Sequence, residues 1–276
     1  MKRTSTLLAA LTSLLLTIPA AAQAKYATSD GELQLGVEAY KNAHYSDAVQ
    51  HFEKAVDLDG SNFKARLYLA TTYTSQYIPG VGTPENAQLA EHAIDQYQHV
   101  LDADTERTLR IRSAKGIAYL YMNTKMFDDA KKYYRMASDL DPDDPEPYYS
   151  VGVIDWTECY GARMQERAKL GMKPGENLDA SDKDQKRICD ELGSRNASII
   201  EEGIDRLNKA INLRPDYDDA MAYINLMYRE KADLECNNPM AREKDLKIAD
   251  DWVDKTLTVK KAKARKSSVL TAPNPR

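Results

Sequence analysis

One apolar pattern recurs along this chain: a small residue, a large apolar residue four positions later, and a small or medium apolar residue three after that. It reads Ala48, Phe52, Ala55; Ala93, Tyr97, Val100; Ala130, Tyr134, Ala137; and Gly203, Leu207, Ala210, with a weaker fifth copy at Ala249, Val253, Thr256. A spacing of i, i+4, i+7 lines up on one face of an α-helix. Each copy follows a segment that sets a branched apolar residue beside a small one: Leu35-Gly36, Leu69-Ala70, Ile117-Ala118 and Val151-Gly152. In the fifth, Ile224-Asn225 fills that place less well. A small residue there lets a second helix approach closely, so each unit is expected to be a helix-turn-helix hairpin. A single hairpin cannot bury its own apolar face. Units of this kind gain a core only by stacking on their neighbours.

Two units, Ser29 to Asn62 and Ile111 to Asp144, have the same 34-residue length without a gap. Gly36, Ala48 and Ala55 hold the small positions of the first, and Ala118, Ala130, Ala137 and Pro142 those of the second together with its terminating proline. On these residues the chain resembles the tetratricopeptide repeat family, whose unit is a helical pair of that length. The resemblance implies an all-α, right-handed solenoid of about five repeats, with units near 29–62, 63–107, 111–144, 145–217 and 218–260. The other three units are longer. About eleven extra residues fall around Ile78 to Gly82, roughly 39 fall between 157 and 197, and about twelve fall around Asn237 to Pro239. Insertions into stacked repeats gather at one edge of the array. The longest, 157–197, mixes cations and anions with few apolar residues, which predicts a solvated helical excursion.

The ends predict a compartment. Lys2 and Arg3, the apolar run from Leu7 to Ile18, and Ala22-Gln23-Ala24 together form a secretory signal, so residues 1–24 are expected to be removed and the repeat array to occupy 25–257. Residues 258–276 are basic and are expected to form a disordered tail. The apolar run is too short to span a bilayer comfortably, and no later segment approaches the ~20 residues a membrane helix needs. The arrangement resembles exported tetratricopeptide-repeat proteins of Gram-negative bacteria, which places the protein in the periplasm or outside the cell.

Removing Lys2 and Arg3 takes the formal charge from −5 to −7. That acidity argues against a nucleic-acid partner, whose binding depends on neutralising phosphates. Of the three cysteines, Cys159, Cys189 and Cys236, none has the C-x-x-C spacing of a zinc or redox site. In an oxidising compartment a bridge between Cys159 and Cys189, inside the insertion, is expected, with Cys236 left free. The histidines fall in two pairs, His44 with His51 and His92 with His99, each pair short of the third ligand a zinc site requires. No metal and no cofactor are expected. Nor is an enzyme: G-x-S-x-G, H-E-x-x-H and Walker motifs are all absent.

The resemblance also implies which side chains line the concave surface, namely the inward positions of each unit's first helix. Among these, Tyr40, Arg112, Lys115, Tyr119, Met122, Tyr149, Trp156 and Arg229 form the candidate partner-binding set. Tyr, Trp and Arg join a large contact area to a polar end, as side chains at binding hot spots do. The expected function is a non-enzymatic scaffold that holds a protein or peptide in an aromatic groove. A second reading is an accessory subunit of an envelope complex that engages its partner through the insertion. An enzyme or cofactor carrier would need a site within the insertion that the sequence does not display.

Overall fold

Proline and short polar side chains set the helix starts. Thr83 and Asp144 cap the backbone N–H groups of Asn86 and Glu146 ahead of Pro84 and Pro145, while Thr28, Asn62 and Asp182 cap Gly31, Ala65 and Asp184. Each cap satisfies a donor that the helix cannot satisfy itself. In the computed structural model, which describes residues 28–173 and 175–271, ten helices follow: α1 (Ser29–Lys41), α2 (Tyr45–Leu58), α3 (Phe63–Gln76), α4 (Pro84–Asp102), α5 (Arg107–Asn123), α6 (Phe127–Leu140), α7 (Pro145–Lys169), α8 (Lys183–Leu213), α9 (Asp218–Leu234) and α10 (Pro239–Thr271). The described residues contain no strand. The expected signal, residues 1–24, lies outside them.

The helices pair as hairpins, α1 with α2 through α9 with α10, and each hairpin packs on the next. The two gapless units close their turns identically, with Ala43 and Lys125 at φ of +58° and +62°. The small residues work as close-approach points. A methyl group at Gly36 would lie 2.5 Å from the ring of Phe52, and one at Gly152 would lie 2.5 Å from Leu207. Phe52 and Leu207 are fully buried as a result. The first helices also pack along the array, α1 on α3 on α5 and α7 on α9, with no comparable approach between α5 and α7.

Two expectations about the insertion and tail are corrected. The extra length of the fourth unit is largely helical, as expected, with α7 running unbroken to Lys169 and α8 starting at Lys183, but it is not merely solvated. Ala162, Leu178, Ile188, Cys189 and Leu192 give this extension its own buried cluster, against which Leu234 and Cys236 pack. Ile188, Cys189 and Leu192 lie on one helix face, an apolar stripe diluted by the surrounding charges. Nor is the tail disordered from residue 258, since α10 continues to Thr271. Lysine, alanine and arginine are strong helix formers, so the basic run prolongs the helix it follows. Lys263 ties it back to Asp218. Asn196, which heads the chain's glycosylation-type Asn-Ala-Ser triplet, is buried and out of reach of modification.

Candidate functional site

The candidate set separates into two groups and three outlying residues. Tyr40, Arg112 and Lys115 come together with Leu67, Tyr68, Thr71 and Ile111 around a cavity of about 430 Å³. The Tyr40 hydroxyl lies 3.0 Å from Ser75 Oγ. Lys115 Nζ reaches Asp144 at 3.0 Å and also Glu146, bridging α5 to the start of α7. Burial opposes its charge, but the two carboxylates hold it above the ordinary lysine range. Arg112 is exposed and makes no hydrogen bond or ion pair among the described residues.

In the second group, Tyr149 and Trp156 of α7 meet through Tyr223 of α9. Ring centroids are 4.9 Å apart for Tyr217 and Tyr149, 5.8 Å for Tyr149 and Tyr223, 5.5 Å for Tyr223 and Trp156, and 5.0 Å for Trp156 and Tyr160. These five rings form one ribbon, each within the separation at which aromatic pairs attract. The Arg163 guanidinium closes it, 5.3 Å from the Tyr160 centroid. Tyr160, Tyr217 and Tyr223 were not in the sequence-derived set. Tyr160 stands one helical turn beyond Trp156, a spacing that could have identified it; only the packing of α9 on α7 brings Tyr223 against Tyr149 and Trp156.

The remaining candidates join neither group. Tyr119 is exposed on α5, and Met122 packs against the small cluster of Ala118, Ala130, Tyr134, Val151 and Ile154. Arg229 is committed to Asn225 at 3.0 Å and Asp250 at 2.7 Å. His51 bonds to Glu32 at 2.7 Å, His92 packs on the Tyr73 ring and His99 lies near Asp95, so neither histidine pair converges.

The cysteines pair differently from expectation. Cys189 is bonded to Cys236, across the chain from α8 to the turn after α9, and Cys159 is the buried free thiol. Spacing pointed to the two cysteines inside the insertion. Folding instead sets Cys159 a turn beyond Asp155 on α7, within the main repeat core, while the α9–α10 turn carries Cys236 to Cys189. Burial pushes the Cys159 thiol up to about 12, so it remains protonated and unreactive.

Between α6 and α7 lies a buried polar cluster. Lys131 Nζ of α6 reaches Asp155 Oδ1 at 3.1 Å and Glu158 Oε2 at 2.6 Å. Asp155 is fully buried and its other oxygen, Oδ2, has no partner. Burial pushes its carboxyl up to about 7 against the pull of Lys131. Because the folded value exceeds the ordinary 3.8, the folded chain holds this proton more tightly than the unfolded one. The stability Asp155 contributes is therefore complete below about pH 4 and is lost as pH rises through about 7. Urea denaturation at a series of pH values should show the wild-type advantage over Asp155→Asn shrinking across that window and flat above it.

Among the described residues no helix is long and apolar enough to cross a membrane. A family profile described as tetratricopeptide repeat matches residues 116–144, within the second gapless unit. A crystal structure of MamA protein aligns over 90% of this chain and 98% of its own, with a TM-score of 0.56 at 16% identity. MamA of Desulfovibrio magneticus RS-1 aligns over 85% and 96%, with 0.53 at 12%. YrrB, described as a TPR protein with an unusual peptide-binding site, aligns over 83% and 90%, with 0.50 at 15%. At such identities the likeness is one of fold. No curated protein matches the chain.

Proposed function

We propose, because this chain is a tetratricopeptide-repeat protein, that it is a non-enzymatic scaffold holding a partner polypeptide against its concave surface. The observations that support this reading are two side-chain groupings that we read as parts of that surface, the Tyr40–Arg112–Lys115 cavity and the ribbon through Tyr149 and Trp156. Both present aromatic area beside cationic groups, and neither assembles the paired base and nucleophile that covalent chemistry needs. The known peptide-binding site of YrrB, on a similar fold, is consistent with it. We place the protein in the periplasm or outside the cell, with a protein or peptide partner rather than nucleic acid, on its signal-like first residues and its acidity.

Engagement through the insertion is the weaker reading, because the disulfide and the Arg163 and Arg167 ion pairs fasten that element to α9 and the turn beyond it. It is a buttress of the groove's second half rather than a free arm.

Affinity purification of the tagged protein from periplasmic extract, followed by titration of the identified partner, tests the scaffold. Trp156→Ala should weaken that partner by about 2 kcal/mol, the loss expected of a hot-spot aromatic. Trp156 is half-buried against Tyr160 and Tyr223, so the variant's melting is recorded alongside. Unchanged affinity in a folded variant would remove the ribbon from the binding surface.

A further inference from the structure

The buried cluster between α6 and α7 brings a primary amine, a carboxyl group and a second carboxylate into one water-poor place. Lys131 is only 8% exposed and Asp155 is not exposed at all, while their chain neighbours Ala130 and Ile154 belong to one buried apolar cluster. Lys131 Nζ lies 3.1 Å from Asp155 Oδ1 and 2.6 Å from Glu158 Oε2, one helical turn further along α7. The nearby Glu202 is already neutralised by Arg135, at 2.6 and 2.8 Å. A buried ion pair is stable when every oxygen is satisfied, yet Asp155 Oδ2 has no partner.

We propose that Lys131 and Asp155 join in an intramolecular isopeptide bond, formed by the folded chain itself with Glu158 as the base. The proposal is independent of the scaffold reading. Glu158 takes one proton from the Lys131 ammonium, and the freed amine attacks Cγ of the protonated Asp155 carboxyl as the carbonyl electrons move to Oδ1. When the carbonyl re-forms, the bond from Cγ to Oδ2 breaks. That oxygen leaves as water, carrying the carboxyl proton and a second proton from nitrogen, and the amide keeps the third. An ammonium, a carboxylic acid and a carboxylate thus become an amide, a water and a carboxylic acid, with no change in net charge.

Each reactant is placed for its part. Burial is the largest single influence on Lys131 and favours the uncharged amine, but its two carboxylates outweigh it and hold the ammonium. Attack therefore needs a base already touching the nitrogen, and Glu158 is there. The raised Asp155 carboxyl supplies the proton that the departing oxygen requires. Folding fixes amine and carboxyl side by side, which removes the entropic cost of bringing them together. In water the ion pair is favoured over the amide, whereas in this site the amide removes two buried charges whose desolvation opposes the pair. Cys159 does not compete, since its thiol stays protonated. The bond would tie α6 to α7, and so the third unit to the fourth, where the first helices α5 and α7 make no close approach of their own.

The test is intact-mass spectrometry of the purified, unreduced chain, with the N-terminus and the link both mapped by trypsin. The expected mass is one water below that of the sequence, beyond the two hydrogens lost at Cys189 and Cys236. Trypsin should then fail to cut after Lys131 and should release a branched peptide that joins residues 126–132 to residues 136–163. Glu158→Gln should slow the appearance of that peptide after refolding by about a hundredfold. Lys131→Arg should abolish it, and the Asp155 titration described above belongs to the unlinked form that this variant preserves. Melting curves record that both variants fold, and the wild-type mass decides the matter by itself if either does not. A folded wild type that keeps its full mass after prolonged incubation at neutral pH overturns the proposal, leaving an ion pair. So does a water lost within residues 136–163 alone, the mark of a cyclic imide, or a branch that fragmentation places on Glu158. Linkage undiminished in Glu158→Gln would overturn the role given to that carboxylate.

Discussion

Replacing both Cys189 and Cys236 by serine is expected to lower the stability of the α7–α10 half by about 4 kcal/mol, the loop-closure value for a separation of 47 residues. For a chain of this size that corresponds to a fall in melting temperature of roughly 8 to 16 °C. The bond joins the extension formed by α7 and α8 to the turn after α9, so its loss frees two elements that otherwise meet only through a small cluster and a few ion pairs. Differential scanning calorimetry of the wild type with and without reductant should reproduce the effect. Unfolding the unreduced protein in denaturant should expose a single thiol, that of Cys159. Three thiols, or an unchanged melt, would show that the bridge does not form.

Arg163→Ala is expected to cost about 3 to 5 kcal/mol, the penalty for stranding one member of a buried ion pair. Glu230 is almost completely buried, and Arg163 holds both of its oxygens, at 2.8 and 2.7 Å. Burial already raises the Glu230 carboxyl above the ordinary range even with the guanidinium in place. Without it the proton is held more tightly still, so the loss should be greatest at neutral and alkaline pH and should ease in acid, where Glu230 enters the core uncharged. Replacing the pair together, Arg163→Met with Glu230→Leu, removes the stranded charge and should recover most of the stability. Urea denaturation of the two single variants and the double variant measures the coupling directly. A single variant as stable as the wild type would show that water reaches this pair.

The fold was legible because stacked repeats write their packing into local spacing. Gly36 opposite Phe52, and Gly152 opposite Leu207, are contacts inside one hairpin, and a hairpin's helices are tied by its own turn. The same locality relates Tyr149 to Trp156, since helical period sets residues seven apart on one face. It failed wherever two units meet. Tyr223 completes the ribbon because α9 packs on α7, and nothing in the run from Ala220 to Met227 marks it as a tyrosine that meets Tyr149 and Trp156. Arg229 was placed in the groove by its position and is instead drawn to Asp250 of α10.

The sequence by itself determined the helical hairpins and their stacking in chain order, because those follow from short-range spacing, caps and prolines. Only the tertiary structure decided that Cys189 bonds to Cys236, that the charged insertion has its own buried cluster, and that Asp155 and Glu230 lie buried beside Lys131 and Arg163. The disulfide and the two ion pairs join residues 24 or more positions apart, across helices of different units. Their meeting depends on how successive units rotate against one another, which is set by the summed shape of the packed side chains and not by any one stretch of the chain.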